Sequence, residues 1–101
     1  MSAGLRHVVL FRWKEGTTAE QIAAIEDGLA GLPAAIPELV AYRFGSDVGL
    51  ADGNWDFAVV ADLVSVEDYI TYRDHPVHQA VIAERIRPHI AERAAVQHPL
   101  A

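Results

Sequence analysis

Residues 7–13 read HVVLFRW and consist mainly of β-branched and aromatic side chains, a composition that favours a β-strand. Side chains alternate between the two faces of a strand, so this segment presents two distinct surfaces. One surface carries His7, Val9, Phe11 and Trp13, and the other carries Val8, Leu10 and Arg12. Because both surfaces are mostly apolar, we expect this strand to be covered on both sides.

The segment that follows predicts an amphipathic helix. Thr17 or Thr18 can cap its N-terminus, with Glu20 or Gln21 completing a capping box. Apolar residues then recur at helical spacing. They form one stripe of Ile22, Ile25, Leu29 and Leu32. Prolines at positions 33 and 37 end the helix.

The remainder of the chain predicts three more strands and a second helical region. The strands are expected over residues 39–45, 55–63 and 92–98. Ser65 begins a helix, and Pro76 interrupts it, so that a short second helix is expected over 76–85. The order β-α-β-β-α-(α)-β is typical of α+β proteins with the ferredoxin-like fold, in which helices cover one face of a four-stranded antiparallel sheet.

This arrangement leaves the second face of the sheet without helices to cover it. Four apolar residues are expected on that face: Val8, Leu10, Ala58 and Val60. The chain is 51 % hydrophobic, which is high for so small a domain. We therefore predict a homodimer in which two sheets pack face to face and close a dimeric α/β barrel.

Length and composition predict a single cytoplasmic domain over residues 1–101. A net charge of −6 with one lysine, Lys14, argues against a protein that binds the phosphate backbone of nucleic acids. The absence of cysteine excludes disulfides, thiol nucleophiles and cysteine-based metal sites. No apolar run approaches the ~18 residues of a transmembrane helix, and no secretory signal is visible, so membrane association is not expected.

Three segments resemble the stress-responsive dimeric α/β-barrel domain family. They are HVVLFRWKEGTT from position 7, LVAYRFGSDV from position 39 and DHPVHQAVIAERIRPHI from position 74. The resemblance extends from about His7 to His98 and implies a dimeric α+β barrel. One plant member of the family is a polyketide cyclase that closes a linear chain by an aldol reaction without a cofactor. Its functional tyrosine and histidine match Tyr72 and His78, and its first-strand histidine matches His7.

An aldol cyclisation needs a base that removes a proton from the carbon next to a carbonyl. It also needs a hydrogen-bond donor that holds the developing enolate oxygen. His78 is the candidate base, because the dipole of a helix that starts near Pro76 favours its neutral imidazole. Tyr72 is the candidate residue that orients this imidazole or donates to a substrate carbonyl. Six other residues are predicted to bind the substrate or ligand: His7, Val9, Phe11, Phe57, Val59 and His75.

Three function classes stay open at this point. The first is a homodimer that binds a small hydrophobic ligand between sheet and helices, and the second is a cofactor-independent cyclase or lyase. The third is a structural protein without a ligand, in which Tyr72 and His78 only pack and His75 only caps a helix. A monooxygenase built on a related dimeric fold is a weaker alternative.

No cofactor and no metal ion are predicted. His75, His78 and the neighbouring Asp74 are residue types that bind metals. However, Pro76 separates the two histidines, and no third ligand follows at helical spacing.

Overall fold

The computed structural model describes residues 4–101, in which helices pack on one face of a four-stranded sheet. The strands are β1 (Leu5–Trp13), β2 (Ala41–Ser46), β3 (Phe57–Leu63) and β4 (Ile90–Pro99). The α-helices are α1 (Ala19–Ala30), α2 (Leu32–Ala35), α3 (Val66–Asp74) and α4 (Pro76–Val81). A π-helical turn (Ile82–Ile86) and a 3₁₀ turn (Arg87–His89) connect α4 to β4. The predicted α+β, ferredoxin-like fold is confirmed.

Strand β1 occupies a central place in the sheet. The strand order is β2-β3-β1-β4, and all neighbouring pairs are antiparallel. His7 of β1 lies opposite Ala61 of β3 and Gln97 of β4. Directly opposed residues of antiparallel strands share a face of the sheet. The alternation along β1 therefore determines which residues of β3 and β4 face the helices.

The core fills the space between the helices and this face of the sheet. Its most completely buried large side chains are Phe57, Ile25, Leu32, Ile36 and Leu63. The N-terminus of α1 has one of the two predicted caps, because Thr18 Oγ1 accepts from Gln21 N at 3.2 Å and Gln21 Oε1 accepts from Thr18 N at 2.9 Å. The predicted apolar stripe packs into the core, since Ile25, Leu29 and, in the short helix α2, Leu32 are buried and Ile22 is half-buried.

Several predicted elements have different boundaries in the structure, including the strands predicted over 39–45 and 92–98, which are β2 and β4. Strand β3 begins at Phe57 and not at residue 55, because Asp56 bonds to the end of β1. Its backbone N donates to the carbonyl of Phe11 at 2.9 Å, and its Oδ2 accepts from the backbone N of Trp13 at 2.8 Å. The helix predicted over 76–85 keeps α geometry only to Val81 and then widens into the π-helical turn.

The second face of the sheet has an apolar centre and a charged rim. The centre consists of Val8, Leu10, Ala58, Val60, Ala94 and Val96. At the rim, Arg6 forms an ion pair with Asp62 at 2.7 Å and Arg12 forms one with Glu92 at 3.0 Å. Val96 is 60 % exposed there. We refer to this surface as the outer face.

Within residues 4–101, no helix has the length and apolar character that crossing a bilayer requires.

Candidate ligand-binding site

A cavity of about 410 Å³ lies between the sheet and the helices. Much of its wall is apolar and includes Val9, Phe11, Leu29, Val59, Ile82 and Ile86. Polar groups enter the same space from His7, Tyr42, Tyr69, Tyr72, His78 and Gln79. Small-molecule sites in proteins have this size and this combination of an apolar wall with a few convergent polar groups.

Six of the predicted site residues line the cavity: His7, Val9, Phe11, Val59, Tyr72 and His78. Phe57 does not, although it lies on the same face of β3 as Val59. Its ring packs deeper in the core, 5.5 Å from that of Trp13 and 6.4 Å from that of Phe44. The alternation of the strand gave the correct face for Phe57, but the position along the strand separates it from the cavity.

His75 also lies outside the wall of the cavity. Its Nδ1 accepts a hydrogen bond from the backbone N of Val77 at 3.2 Å, and His75 thereby caps the N-terminus of α4. A side chain that satisfies the first turn of a helix in this way is directed along that helix. The structure thus separates His75 from the pocket residues with which it was grouped on the basis of sequence.

His78 is held in one orientation by the backbone of α3. Its Nδ1 lies 2.9 Å from the carbonyl oxygen of Arg73. Because a carbonyl oxygen only accepts, Nδ1 carries the proton and Nε2 of the neutral ring keeps a free lone pair. Burial lowers the pKa of His78, against an opposing effect of this hydrogen bond. Burial therefore supplies a preference for neutral imidazole, which the sequence argument attributed to the helix dipole.

Tyr72 contacts His78 through its ring. The two ring centroids are 4.2 Å apart with an interplanar angle of 33°, and Tyr72 is only 2 % exposed. His78 is oriented by the hydrogen bond that its Nδ1 donates to the Arg73 carbonyl, and Tyr72 contributes by packing. Burial raises the pKa of Tyr72, so its hydroxyl is neutral at physiological pH.

Tyr42 places a second phenol beside Tyr72, with ring centroids 6.2 Å apart. Among the described residues, the buried Tyr42 hydroxyl has no partner in hydrogen-bond geometry, although it is close enough to Tyr72 for the two to affect each other's pKa. Burial is the largest cause that raises the pKa of Tyr42. Leaving a buried hydroxyl unpaired costs about 1–3 kcal/mol, so a ligand or water that pairs with it is stabilised.

His7 approaches the cavity from the sheet. Gln97 Nε2 donates to its Nδ1 at 2.8 Å, so that the neutral ring carries its proton on Nε2. Its ring centroid is 5.1 Å from that of Tyr69 and 6.1 Å from that of Tyr72. Burial, followed by the charges of Arg93 and His78, lowers the pKa of His7 to about 4. His7 is therefore a neutral hydrogen-bond donor near pH 7.

Several cavity residues were not identified from the sequence. Tyr42 shares a face of β2 with Phe44, and Tyr69 precedes Tyr72 by almost one helical turn, so periodicity offered a signal for both. No local signal indicated Arg93, because its place opposite Phe11 depends on the register between β4 and β1. The lining contributed by Ile86 depends on the π-helical turn.

Within residues 4–101, no group of three or more histidine, cysteine or acidic side chains is arranged to hold a metal ion. His75 and His78 direct their Nδ1 atoms to different backbone groups, the N–H of Val77 and the carbonyl of Arg73.

The sequence model of the stress responsive A/B barrel domain (Dabb) matches residues 5–98. The chain belongs to this family. A dimeric ferredoxin-like protein of unknown function from Thermobifida fusca is 50 % identical to it, with a TM-score of 0.91. That similarity covers 99 % of this Dabb chain and 93 % of the T. fusca chain.

Two more distant structures share the Dabb fold. A Dabb family protein from Mesorhizobium loti has 19 % identity and a TM-score of 0.80, covering 97 % of this chain and 98 % of its own. The hydroxynitrile lyase from Passiflora edulis has 23 % identity and a TM-score of 0.84, covering 100 % of this chain and 96 % of its own. A search of curated proteins finds no match.

The lowered pKa of His7 predicts a pH dependence of stability. Between its folded-state value of about 4 and the ordinary value of 6.5, the unfolded chain binds a proton that the folded chain does not. The free energy of unfolding therefore falls as the pH falls through this window. We expect wild type to lose on the order of 3 kcal/mol more than His7→Gln between pH 7 and pH 4. Urea denaturation at fixed protein concentration measures this difference, and parallel pH curves for the two proteins would contradict it.

Proposed function

We propose that this Dabb protein is a homodimer in which each subunit binds a small, mainly apolar ligand in the cavity between sheet and helices. The observation that carries the proposal is the cavity itself, which combines an aliphatic wall with buried polar groups that face it. Ile82 and Val59 approach it from opposite layers of the fold. An apolar molecule between them removes both surfaces from water, which is worth about 25 cal/mol per Å² of apolar area.

The polar groups of the cavity require a polar group on the ligand. The Tyr42 hydroxyl has no partner in hydrogen-bond geometry among the described residues, and Tyr72 is the neighbouring phenol that interacts with it. Tyr72 lies beside it, so one ligand oxygen in this region can accept from two hydroxyls, and a ligand hydroxyl can donate to the unprotonated Nε2 of the neighbouring His78. The ligand in this proposal is therefore an apolar molecule that carries a carbonyl or hydroxyl oxygen.

Filling the cavity should weaken binding. Val59 is 3 % exposed and forms part of the wall, so Val59→Phe places a ring in the space that a ligand occupies. We expect isothermal titration with octanamide to show saturable binding to wild type and affinity at least about tenfold lower for the variant. Because a larger core residue often costs about 1–3 kcal/mol of stability, the melting temperature is measured in parallel.

The matched control is Val66→Phe, the same change at a position that is 62 % exposed at the start of α3. It should bind octanamide like wild type. Equal affinity of wild type and Val59→Phe, or absence of saturable binding to wild type, would contradict the proposed site.

The homodimer is supported by the outer face and by the comparison structure. The relative from T. fusca with 50 % identity is described as dimeric. The outer face offers apolar residues without helices to cover them, and a recess of about 380 Å³ opens there beside Leu10, Ala58 and Gly45. A second copy, related by a two-fold axis, presents the same surface and can bury both.

A charge at the centre of the outer face should separate the subunits. Val8 lies between Val60 and Val96 in this apolar centre, and burying an unpaired carboxylate against another subunit is costly. We expect light scattering to give twice the chain mass of 11.0 kDa for wild type and the single chain mass for Val8→Glu. Val66→Glu, on the exposed side of α3, should remain a dimer. A wild-type mass of one chain would reject the homodimer.

A second candidate function, cofactor-independent carbonyl chemistry, is favoured by the tautomer of His78. Its unprotonated Nε2 can remove a proton from the carbon next to a carbonyl, and the electron pair moves to the carbonyl oxygen. The hydroxyls of Tyr72 and Tyr42 can donate to that oxygen. The resulting enolate adds to a second carbonyl of the same molecule in a cyclisation, and His78 returns the proton to the new alkoxide. A lyase reaction would use the same steps in reverse and break the carbon–carbon bond.

Solvent exchange tests this chemistry without knowledge of the natural substrate. In D₂O, wild type should accelerate deuterium incorporation next to the carbonyl of octan-2-one. His78→Gln should lower that rate about 100-fold, the lower range of general-base effects, and leave the melting temperature nearly unchanged. His89→Gln serves as the control histidine change. Equal rates for wild type and His78→Gln would reject the role of base, and a melting temperature lowered by several degrees would make His78 structural.

A further inference from the structure

The charges that line the cavity have one sign. Arg73, Arg87 and Arg93 contribute to its wall, and no aspartate or glutamate does among the described residues. This is unexpected in a chain whose net charge is −6. The acidic residues of the chain therefore lie elsewhere, and the cavity is a local region of positive potential.

Two of these arginines have no acidic partner. Arg73 forms a bidentate ion pair with Asp74, at 2.8 and 3.0 Å. Within residues 4–101, neither Arg87 nor Arg93 forms a salt bridge. The other arginines without a salt bridge in this part of the chain, Arg43 and Arg85, lie outside the cavity wall. Arg87 and Arg93 are thus the cavity-lining arginines whose charge no carboxylate of the described residues balances in a salt bridge.

Arg93 lies on the helix-side face of β4, opposite Phe11. Its charge acts on several cavity groups: after burial, it is the next cause that lowers the pKa of His7, and it contributes more weakly at His78 and Tyr72. Arg87 comes from the 3₁₀ turn that precedes β4 and also lines the cavity. Both side chains are exposed, whereas the Tyr42 hydroxyl is buried. The positive groups therefore mark the mouth of the cavity.

We propose that the ligand is a carboxylic acid whose carboxylate is bound by Arg93 and Arg87 at the mouth of the cavity, with its apolar chain directed inward. This inference rests on the proposed ligand-binding function and adds the chemical class of the ligand. Guanidinium groups match the planar geometry of a carboxylate with two parallel hydrogen bonds. Guanidinium groups also bind phosphate, so octyl phosphate serves as the competing anion in the test.

The position of the arginines also determines the orientation of the bound ligand in this proposal. With the carboxylate at the mouth, the opposite part of the molecule reaches Tyr42, Tyr72 and His78. The oxygen inferred for that end is then separated from the carboxylate by an apolar segment that contacts Val9, Val59 and Ile82. An oxo acid or hydroxy acid with an aliphatic or aromatic body has this pattern.

The test compares two probes with the same chain, octanoate and octanamide, by isothermal titration at pH 7.5. Wild type should bind octanoate at least about tenfold more tightly, as expected for a charge-assisted hydrogen bond. Arg93→Gln and Arg87→Gln should each reduce this preference and together abolish it, with octanamide affinity unchanged. Lys14→Gln removes the same charge in the exposed turn after β1 and should retain the preference.

The outcomes separate this inference from the proposed function. If octanamide binds as tightly as octanoate, or if the double arginine variant keeps the preference, the carboxylate assignment is overturned while the pocket stands. Tighter binding of octyl phosphate than of octanoate would also overturn it, in favour of a phosphate. If neither octanoate nor octanamide binds wild type, the pocket itself is rejected, and this inference is rejected with it.

Discussion

Strand β1 must bury two apolar faces at once, and the organisation of the whole molecule follows from that requirement. Backbone pairing on both of its edges leaves only the two faces of the sheet for its side chains. The helices cover His7, Val9 and Phe11, and the outer face is the surface that the proposed homodimer would bury. The apolar residues on both faces of β1 thus connect the fold of one subunit to the proposed assembly.

The cavity exists because the chain between α3 and β4 is not one continuous helix. Pro76 ends α3, and α4 restarts in a new direction with His75 as its cap. This break allows the Nδ1 of His78 to reach back to the Arg73 carbonyl, a group that a continuous helix would use for its own hydrogen bond. The π-helical turn then moves Ile82 and Ile86 over the sheet, and such turns occur frequently at functional sites.

The charges of the arginines at the mouth of the cavity affect the protonation of the histidines inside it. The buried histidines are neutral, and the arginines at the mouth reinforce that state because a nearby positive charge disfavours imidazolium. Anion binding by Arg93 would weaken that effect and make His7 and His78 more basic. The occupant of the mouth and the protonation of the interior are therefore coupled, whether the protein only holds its ligand or also transforms it.

The sequence by itself determined the element order, the faces of β1 and a threonine cap for α1, because each depends on neighbours within a few residues along the chain. It did not determine that Asp56 shortens β3, that His75 serves the helix, or that Phe57 lies beyond the cavity. Only the tertiary structure placed Arg93, Tyr42 and Arg87 around one space. Their proximity depends on strand register and on helix geometry, which are set by packing between residues far apart in sequence.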